Sequence, residues 1–145
     1  MKAVVQRVKS AVLSCDGAVV SEIGHGLAVY FGVQKEDGIE KASYLAKKIA
    51  NLRIFNDGQG KMNLSVKDVS GEVLVISQFT LLADVSHGNR PSFSLAEEPN
   101  RANDLYLKFI EELTLNGAVC KRGVFGGDML IAQENDGPVT IVYEA

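Results

Sequence analysis

The sequence predicts a mixed α/β protein in which two main helices pack on eight or so short strands, and three observations carry that expectation. Short apolar runs bounded by Gly, Asp-Gly or polar clusters recur along most of the chain, as buried or half-buried strands require. The apolar period lengthens to three- and four-residue steps in only two windows, 39–52 and 102–113. The elements do not alternate regularly between strand and helix, so the sheet is expected to be mixed rather than a parallel βαβ series. At 145 residues, with 46% hydrophobic and 23% charged residues, a single domain spanning 1–145 is expected. No repeat or linker marks a second domain.

Taken in order, Met1–Val8, Ala11–Cys15 and Ala18–Ile23 read as short strands, with Asp16-Gly17 as the turn between the last two. Gly24-His25-Gly26 is a further turn, with His25 simplest as a turn residue, and Leu27–Val33 is a continuous apolar strand. Ile39, Ala42, Leu45, Ala46, Ile49 and Leu52 then define an amphipathic helix with lysines on its solvated face. Asp37 followed by Glu40 resembles a capping box at its start. Asn56–Gly60 is a loop, and Lys61–Ser65 is too mixed in polarity to assign. Val73–Ile76 is a buried strand, followed by a polar, breaker-rich loop over 84–93. Ala102, Leu105, Tyr106, Phe109, Ile110 and Leu113 define the second helix, closed by Asn116-Gly117, with Tyr106 and Phe109 as core residues. Ala118–Arg122, Met129–Gln133 and Val139–Tyr143 complete the strands.

Composition narrows the chemistry. A formal net charge of −3 argues against broad wrapping of nucleic acid, yet leaves room for a local contact with a polynucleotide end. Lys47, Lys48, Arg53, Lys121 and Arg122 are the candidates for such phosphate contacts. Two histidines, His25 and His87, and two cysteines, Cys15 and Cys120, form no recognisable metal motif, so neither metal nor other cofactor is expected. The cysteines are expected to be reduced thiols. No run approaches the ~18 apolar residues of a membrane span, and the N-terminus lacks a signal-peptide pattern, which favours the cytoplasm and no membrane partner.

Two motifs stand out. Ser77-Gln78-Phe79-Thr80-Leu81 places two hydroxyls and an amide where a core strand would continue with Val or Ile. Such a strand end either satisfies its own backbone or holds a carbonyl or a sugar. Asn135-Asp136-Gly137-Pro138-Val139-Thr140 combines an Asp-Gly hairpin signal with a Pro that cannot join a ladder. Taken alone it is simplest as an ordinary turn, with its Gly-Pro bond trans or cis.

Together these motifs resemble the paired signatures of the D-aminoacyl-tRNA deacylases. The likeness runs along essentially the whole chain: Val5-Gln6-Arg7-Val8, Leu52-Arg53-Ile54-Phe55, Gly60-Lys61-Met62-Asn63, Gly88-Asn89-Arg90-Pro91-Ser92-Phe93 and Phe125-Gly126-Gly127-Asp128-Met129. The chain departs from the family pattern at His87, where Lys or Arg is common, at Gly127, where Ala is usual, and at Leu130, where Gln is frequent. The resemblance implies barrel-like β layers, a homodimer, and hydrolysis of the ester joining a D-amino acid to the 3′-terminal adenosine of transfer RNA. Glycine is accepted and L-aminoacyl esters are rejected. It further implies that Gly137-Pro138 is cis and acts as a chiral filter in the partner subunit's pocket, with Arg7 holding its loop. Ser77, Gln78, Phe79 and Thr80 would form the opposite, catalytic wall, with the Phe79 N–H on the oxyanion. Either the transfer RNA's 2′-hydroxyl assists water or Thr80 attacks as a nucleophile, which needs an activating base. Two other readings remain open: a general esterase using Ser77 or Thr80 with His87 and Asp84, and a transfer-RNA-end-binding module without turnover.

Overall fold

The computed structural model describes residues 1–145 and is organised by its first strand. Apolar side chains at every second position run through Ala3 and Val5, and β1 spans Lys2–Cys15 without interruption. The two strands expected over Met1–Val8 and Ala11–Cys15 are therefore one. Lys9 and Ser10 fall in an irregular stretch that absorbs the change of pattern instead of ending the strand. Register against β8 (Met129–Glu144) shifts between Gln6 and Val8 and again between Val8 and Ser10. Below this stretch Ala3 and Val5 face one core, whereas Val8, Ala11 and Leu13 face another.

One edge of β1 carries β3 (Gly26–Gly32) along Lys2–Val8 and β2 (Ala18–Ile23) along Ala11–Cys15, both antiparallel. The other edge carries β8 over nearly its full length. β3 pairs in parallel with β6 (Glu72–Ser77), and β6 in parallel with β7 (Val119–Arg122), so the sheet is mixed as predicted. It curls towards closure. The seam between β2 and β7 is bridged by side chains: Ser21 Oγ donates to the Arg122 carbonyl and Lys121 Nζ to the Glu22 carbonyl, each at 2.6 Å. A hairpin of β4 (Phe55–Asn56) and β5 (Met62–Leu64) occupies the stretch whose mixed polarity gave no assignment.

The helices cover the outer face of the curl. α1 (Ile39–Ala50) buries Ala42, Leu45, Ala46 and Ile49 and exposes Lys41, Lys47 and Lys48. Its start differs from the capping box read in the sequence. Gly38 is the N-cap and no side chain caps it, because the Asp37 carboxylate is drawn to the Met1 ammonium (2.7 Å), Lys41 (2.7 Å) and the Gln34 N–H (2.7 Å). α2 (Pro99–Leu115) begins earlier than its apolar period suggested, since Pro suits the first helical turn. It ends at Gly117, whose φ of +89° favours glycine. α2 buries Leu105, Tyr106, Phe109 and Leu113, and the Phe109 ring stacks on Phe31 at 4.1 Å between centroids. Full burial of each such side chain contributes about 1.5–3 kcal/mol.

The largest departure from expectation is β8. The sequence suggested two strands separated by a turn at Asp136-Gly137, but the chain does not reverse there. β1 offers a continuous edge, and Met129–Asn135 and Thr140–Glu144 pair with successive halves of it. The residues between form a local irregularity, with Gly137-Pro138 cis. Both cysteines are free.

Candidate active site

β6 ends on Ser77, in register with Phe31 of β3, and the Gln78 N–H donates to the Phe31 carbonyl at 2.8 Å as the last bond between them. The backbone then breaks at Gln78 (φ −147°, ψ 82°) and Phe79–Leu82 wind into a short 3₁₀ turn. The first bond of that turn runs from the Leu81 N–H to the Gln78 carbonyl (3.3 Å), which leaves the amides of Phe79 and Thr80 without a partner inside it. Gly32 permits this arrangement. A Cβ there would lie 2.6 Å from Leu82 Cδ2 and 2.8 Å from the Gln78 carbonyl oxygen, so any larger residue would push the turn off the strand.

The strand end and turn open onto a cavity of about 530 Å³ walled by Phe31, Ser77, Gln78, Phe79, Tyr106 and the 125–129 loop. Ser77 and Gln78 are half-buried, whereas the Phe79 side chain is 57% exposed and meets Phe93 of the following loop edge-on at 5.0 Å. An aromatic ring left this open beside a cavity is suited to be covered by a ligand or a second molecule. Thr80 is exposed and forms no part of the wall; its hydroxyl accepts from the Gln78 side-chain amide and so fixes that amide beside the cavity. The structure thus brings three of the four predicted residues of the motif to the cavity and leaves Thr80 as their support.

Sequence reading missed Glu97 and Asp128, which also line the cavity and give it an acidic rim. Asp128 stands in the Phe125–Met129 stretch that carries part of the family resemblance but was assigned no role there, Glu97 has no distinctive neighbourhood, and only the approach of the α2 start to the 125–129 loop joins them. Tyr106, read as a core residue, is both: its hydroxyl is buried against the Val75 carbonyl (2.9 Å), and desolvation pushes its pKa up to about 12, so it stays protonated.

No nucleophile–base chain is assembled. His87 is exposed and makes no hydrogen bond, and Asp84 is engaged instead by Ser86, whose hydroxyl and backbone amide (2.9 Å) hold its carboxyl below the ordinary range. The Ser77 or Thr80, His87 and Asp84 set of a general esterase is therefore not formed.

The second motif lies elsewhere. Arg7, only 6% exposed, reaches from β1 beneath the irregular stretch of β8. Its Nε approaches the Asp136 carboxylate at 3.0 Å and donates to the Asp136 carbonyl at 3.2 Å, while Nη1 donates to the Ile54 carbonyl at 2.5 Å. Gly137 has φ +122°, and a Cβ there would sit 2.9 Å from Val139 Cγ2 and 3.2 Å from Arg7 Nη2. A polar network flanks the loop. Tyr30 donates to Gln133 (2.9 Å), Gln133 to Gln6 and Asn135 (both 2.7 Å), and Gln6 to Thr140 (3.3 Å). The link between Gln6, Tyr30 and Gln133 leaves no mark in the sequence because they belong to three different strands. Gly137 and Pro138 themselves are exposed and contribute nothing to the cavity of their own chain.

The chain thus combines a curled mixed sheet, a cavity at the end of β6 and, on another part of its surface, a loop braced by Arg7. The family model described as D-Tyr-tRNA(Tyr) deacylase matches residues 4–144, and the chain belongs to the D-aminoacyl-tRNA deacylase family. It is 53% identical to the D-aminoacyl-tRNA deacylase of Magnetococcus marinus over 97% of this chain and 94% of that protein. It is 50% identical to that of Aquifex aeolicus over 100% of this chain and 98% of that one. Among solved structures, it superposes on one described as c-Myc DNA Unwinding Element Binding Protein with a TM-score of 0.94 at 42% identity, covering 100% of this chain and 99% of that one. A probable eukaryotic D-amino acid tRNA deacylase shares the fold, with a TM-score of 0.82 at 16% identity, covering 98% of this chain and 97% of that one.

Proposed function

We propose that this protein is a chirality-selective editing hydrolase that cleaves the ester of D-aminoacyl-tRNA to free amino acid and transfer RNA. The observation that carries the reading is the separation of the two motifs: a cavity edged by unpartnered amides, and a loop braced by buried Arg7 whose Gly137-Pro138 does not line it. A loop so placed is open to the cavity of a second copy of the chain, which fits a homodimer with each Gly137-Pro138 closing its partner's pocket.

In this reading the terminal adenosine and ester lie in the cavity against Ser77 and Gln78. The Phe79 N–H stabilises the developing oxyanion, and water attacks the ester carbonyl. The bond is an activated ester, so positioning and oxyanion stabilisation account for most of the acceleration. With no base beside Thr80, the transfer RNA's own 2′-hydroxyl is the group that orients the water. Main-chain carbonyls of Gly137-Pro138 accept from the substrate's α-ammonium. With ammonium and carbonyl both pinned, D and L esters exchange the places of hydrogen and side chain, and a rigid backbone wall excludes every L side chain by clash. Glycine has no side chain to clash and passes the same filter. The cytoplasm, where aminoacylated transfer RNA is made and used, is the compartment this activity fits.

The test is release of tyrosine from matched D- and L-tyrosyl-tRNA. Rapid loss of the D ester alone is expected. Equal loss of both would discard the filter, and binding without loss of either would leave a transfer-RNA-end-binding module.

A further inference from the structure

Beside the cavity, on the other side of Phe125 and Tyr106, lies a second open depression of about 560 Å³. Its apolar walls are formed by Val20 of β2, Leu107 of α2, and Val124 and Phe125 of the loop after β7, and polar groups complete the lining. Val20, Leu107 and Val124 are all exposed to solvent. Besides Tyr106, three polar side chains border it: Ser21, whose hydroxyl donates to the Arg122 carbonyl, and Asn103 from α2 and Arg122 at the end of β7, neither of which forms a side-chain hydrogen bond or ion pair within the protein. The other basic candidates are engaged or distant. Lys121 is paired with Glu72 at 2.9 Å, Arg53 donates to the Asn63 carbonyl at 2.8 Å, and Lys47 and Lys48 stand on α1, which walls neither depression. The only guanidinium facing the groove is thus uncommitted.

We propose that this groove holds the penultimate nucleotide of the transfer RNA 3′ end, its base between the apolar walls and its linking phosphate on Arg122. The proposal rests on the reading that the neighbouring cavity takes the terminal adenosine. Two nucleotides joined by one phosphate need adjacent sites, and the two depressions share Phe125 and Tyr106 as a common partition. Single-stranded RNA is held by side chains that pack on base faces and by donors that meet base edges, roles that suit Phe125 with the valines and the free Asn103 amide. A guanidinium matches a phosphodiester in both charge and geometry. A free surface of this composition would satisfy a nucleotide better than an apolar protein segment, which would leave Arg122 and Asn103 covered and unpaired.

The experiment compares D-tyrosyl-tRNA with D-tyrosyl-adenosine, the same ester lacking the rest of the RNA. Arg122→Ala is expected to raise KM about tenfold for the transfer RNA with kcat unchanged, and to leave D-tyrosyl-adenosine hydrolysis untouched. The slope of log(kcat/KM) against log[salt] on transfer RNA should become shallower by about 0.7, the loss of one phosphate contact on a single strand. A D-tyrosyl-tRNA carrying an abasic penultimate residue should show a similar loss with the wild-type enzyme, and Val124→Asp should reproduce it. Equal loss on both substrates, or no loss on either, overturns the groove. Wild-type enzyme inactive on both D esters overturns instead the reading of the cavity on which the groove depends.

Discussion

Arg7 and Asp37 are both buried charges, yet they are spent on different parts of the molecule. Asp37, with its side chain 1% exposed, gathers the Met1 ammonium, Lys41 and the Gln34 N–H, and its own carbonyl accepts from Arg101 at 2.9 Å. Those partners lie where the start of the chain, the connection from β3 to α1 and the two helices meet. Arg7 ties the Ile54 carbonyl to Asp136, beside exposed residues that add nothing to the core. A charge that fastens packed elements serves stability, and one that fastens an exposed loop serves the shape of that loop. Burial alone does not distinguish the two; the partners do.

The sharpest way to break this comparison is to remove the carboxylate charge at Asp37. Asp37→Asn leaves a buried ammonium facing a neutral amide and should cost about 3 kcal/mol of stability, read from urea unfolding, while the ratio of D- to L-ester hydrolysis stays unchanged. A loss of chiral selectivity without a loss of stability would reverse the assignment. Burial by itself would raise the Asp37 pKa, but hydrogen bonds from Lys41, the N-terminal ammonium and the Gln34 N–H outweigh it and hold the group below its ordinary value. Its folded pKa therefore lies below its unfolded one. The stabilisation is complete above the ordinary carboxylate range and is lost as pH falls through the folded value. Wild type should thus lose more stability than Asp37→Asn over that acid window, and measuring both separates Asp37 from Asp57, Asp68 and Glu72, whose pKa values are also lowered.

Arg7→Met tests the other side. Loss of charged hydrogen bonds to Asp136 should reduce kcat/KM for the D ester roughly 30- to 100-fold, and Arg7→Lys should rescue little, because an ammonium cannot replace the fork. Unaltered activity in Arg7→Met would remove the loop from the mechanism. Gly137→Ala sharpens the same point with a smaller change: its φ of +122° and the 2.9 Å approach to Val139 should lower D-ester hydrolysis roughly tenfold. Thr80→Ala is expected to cost less than about fivefold if Thr80 only steadies Gln78, whereas loss of a nucleophile would abolish turnover. His87→Ala, in an exposed loop without a partner, should leave both esters hydrolysed at the wild-type rate.

Much of this was legible beforehand, and its limits are physical. The two helices were visible because Ala42, Leu45, Ala46 and Ile49, and Leu105, Tyr106, Phe109 and Leu113, repeat a local period that one helix face must satisfy. The Asp16-Gly17 turn was visible because both residues adopt positive φ, for which their types are suited. Asp37 was misread as half of a capping box because its true partners include Met1, which no local pattern connects to it. The Asp136-Gly137 turn was misread because a hairpin signal describes only what a chain can do in isolation. The full length of β1 was available to pair with what followed.

The same division holds at the candidate site. The sequence by itself determined which chemistry is present: the hydroxyls and amide of Ser77-Gln78-Phe79-Thr80, the Gly137-Pro138 pair and the arginine at position 7. These are properties of residue types at short spacing. Only the tertiary structure decided that Phe79 and Gln78 edge a cavity while Thr80 stands outside it, and that Arg7 reaches Asp136 across 129 residues of chain. It alone placed Glu97, Asp128 and Arg122 around neighbouring depressions. The reason is that such placements depend on strand pairing and sheet curvature, which sum weak contacts over the whole chain and leave no signature at any one position.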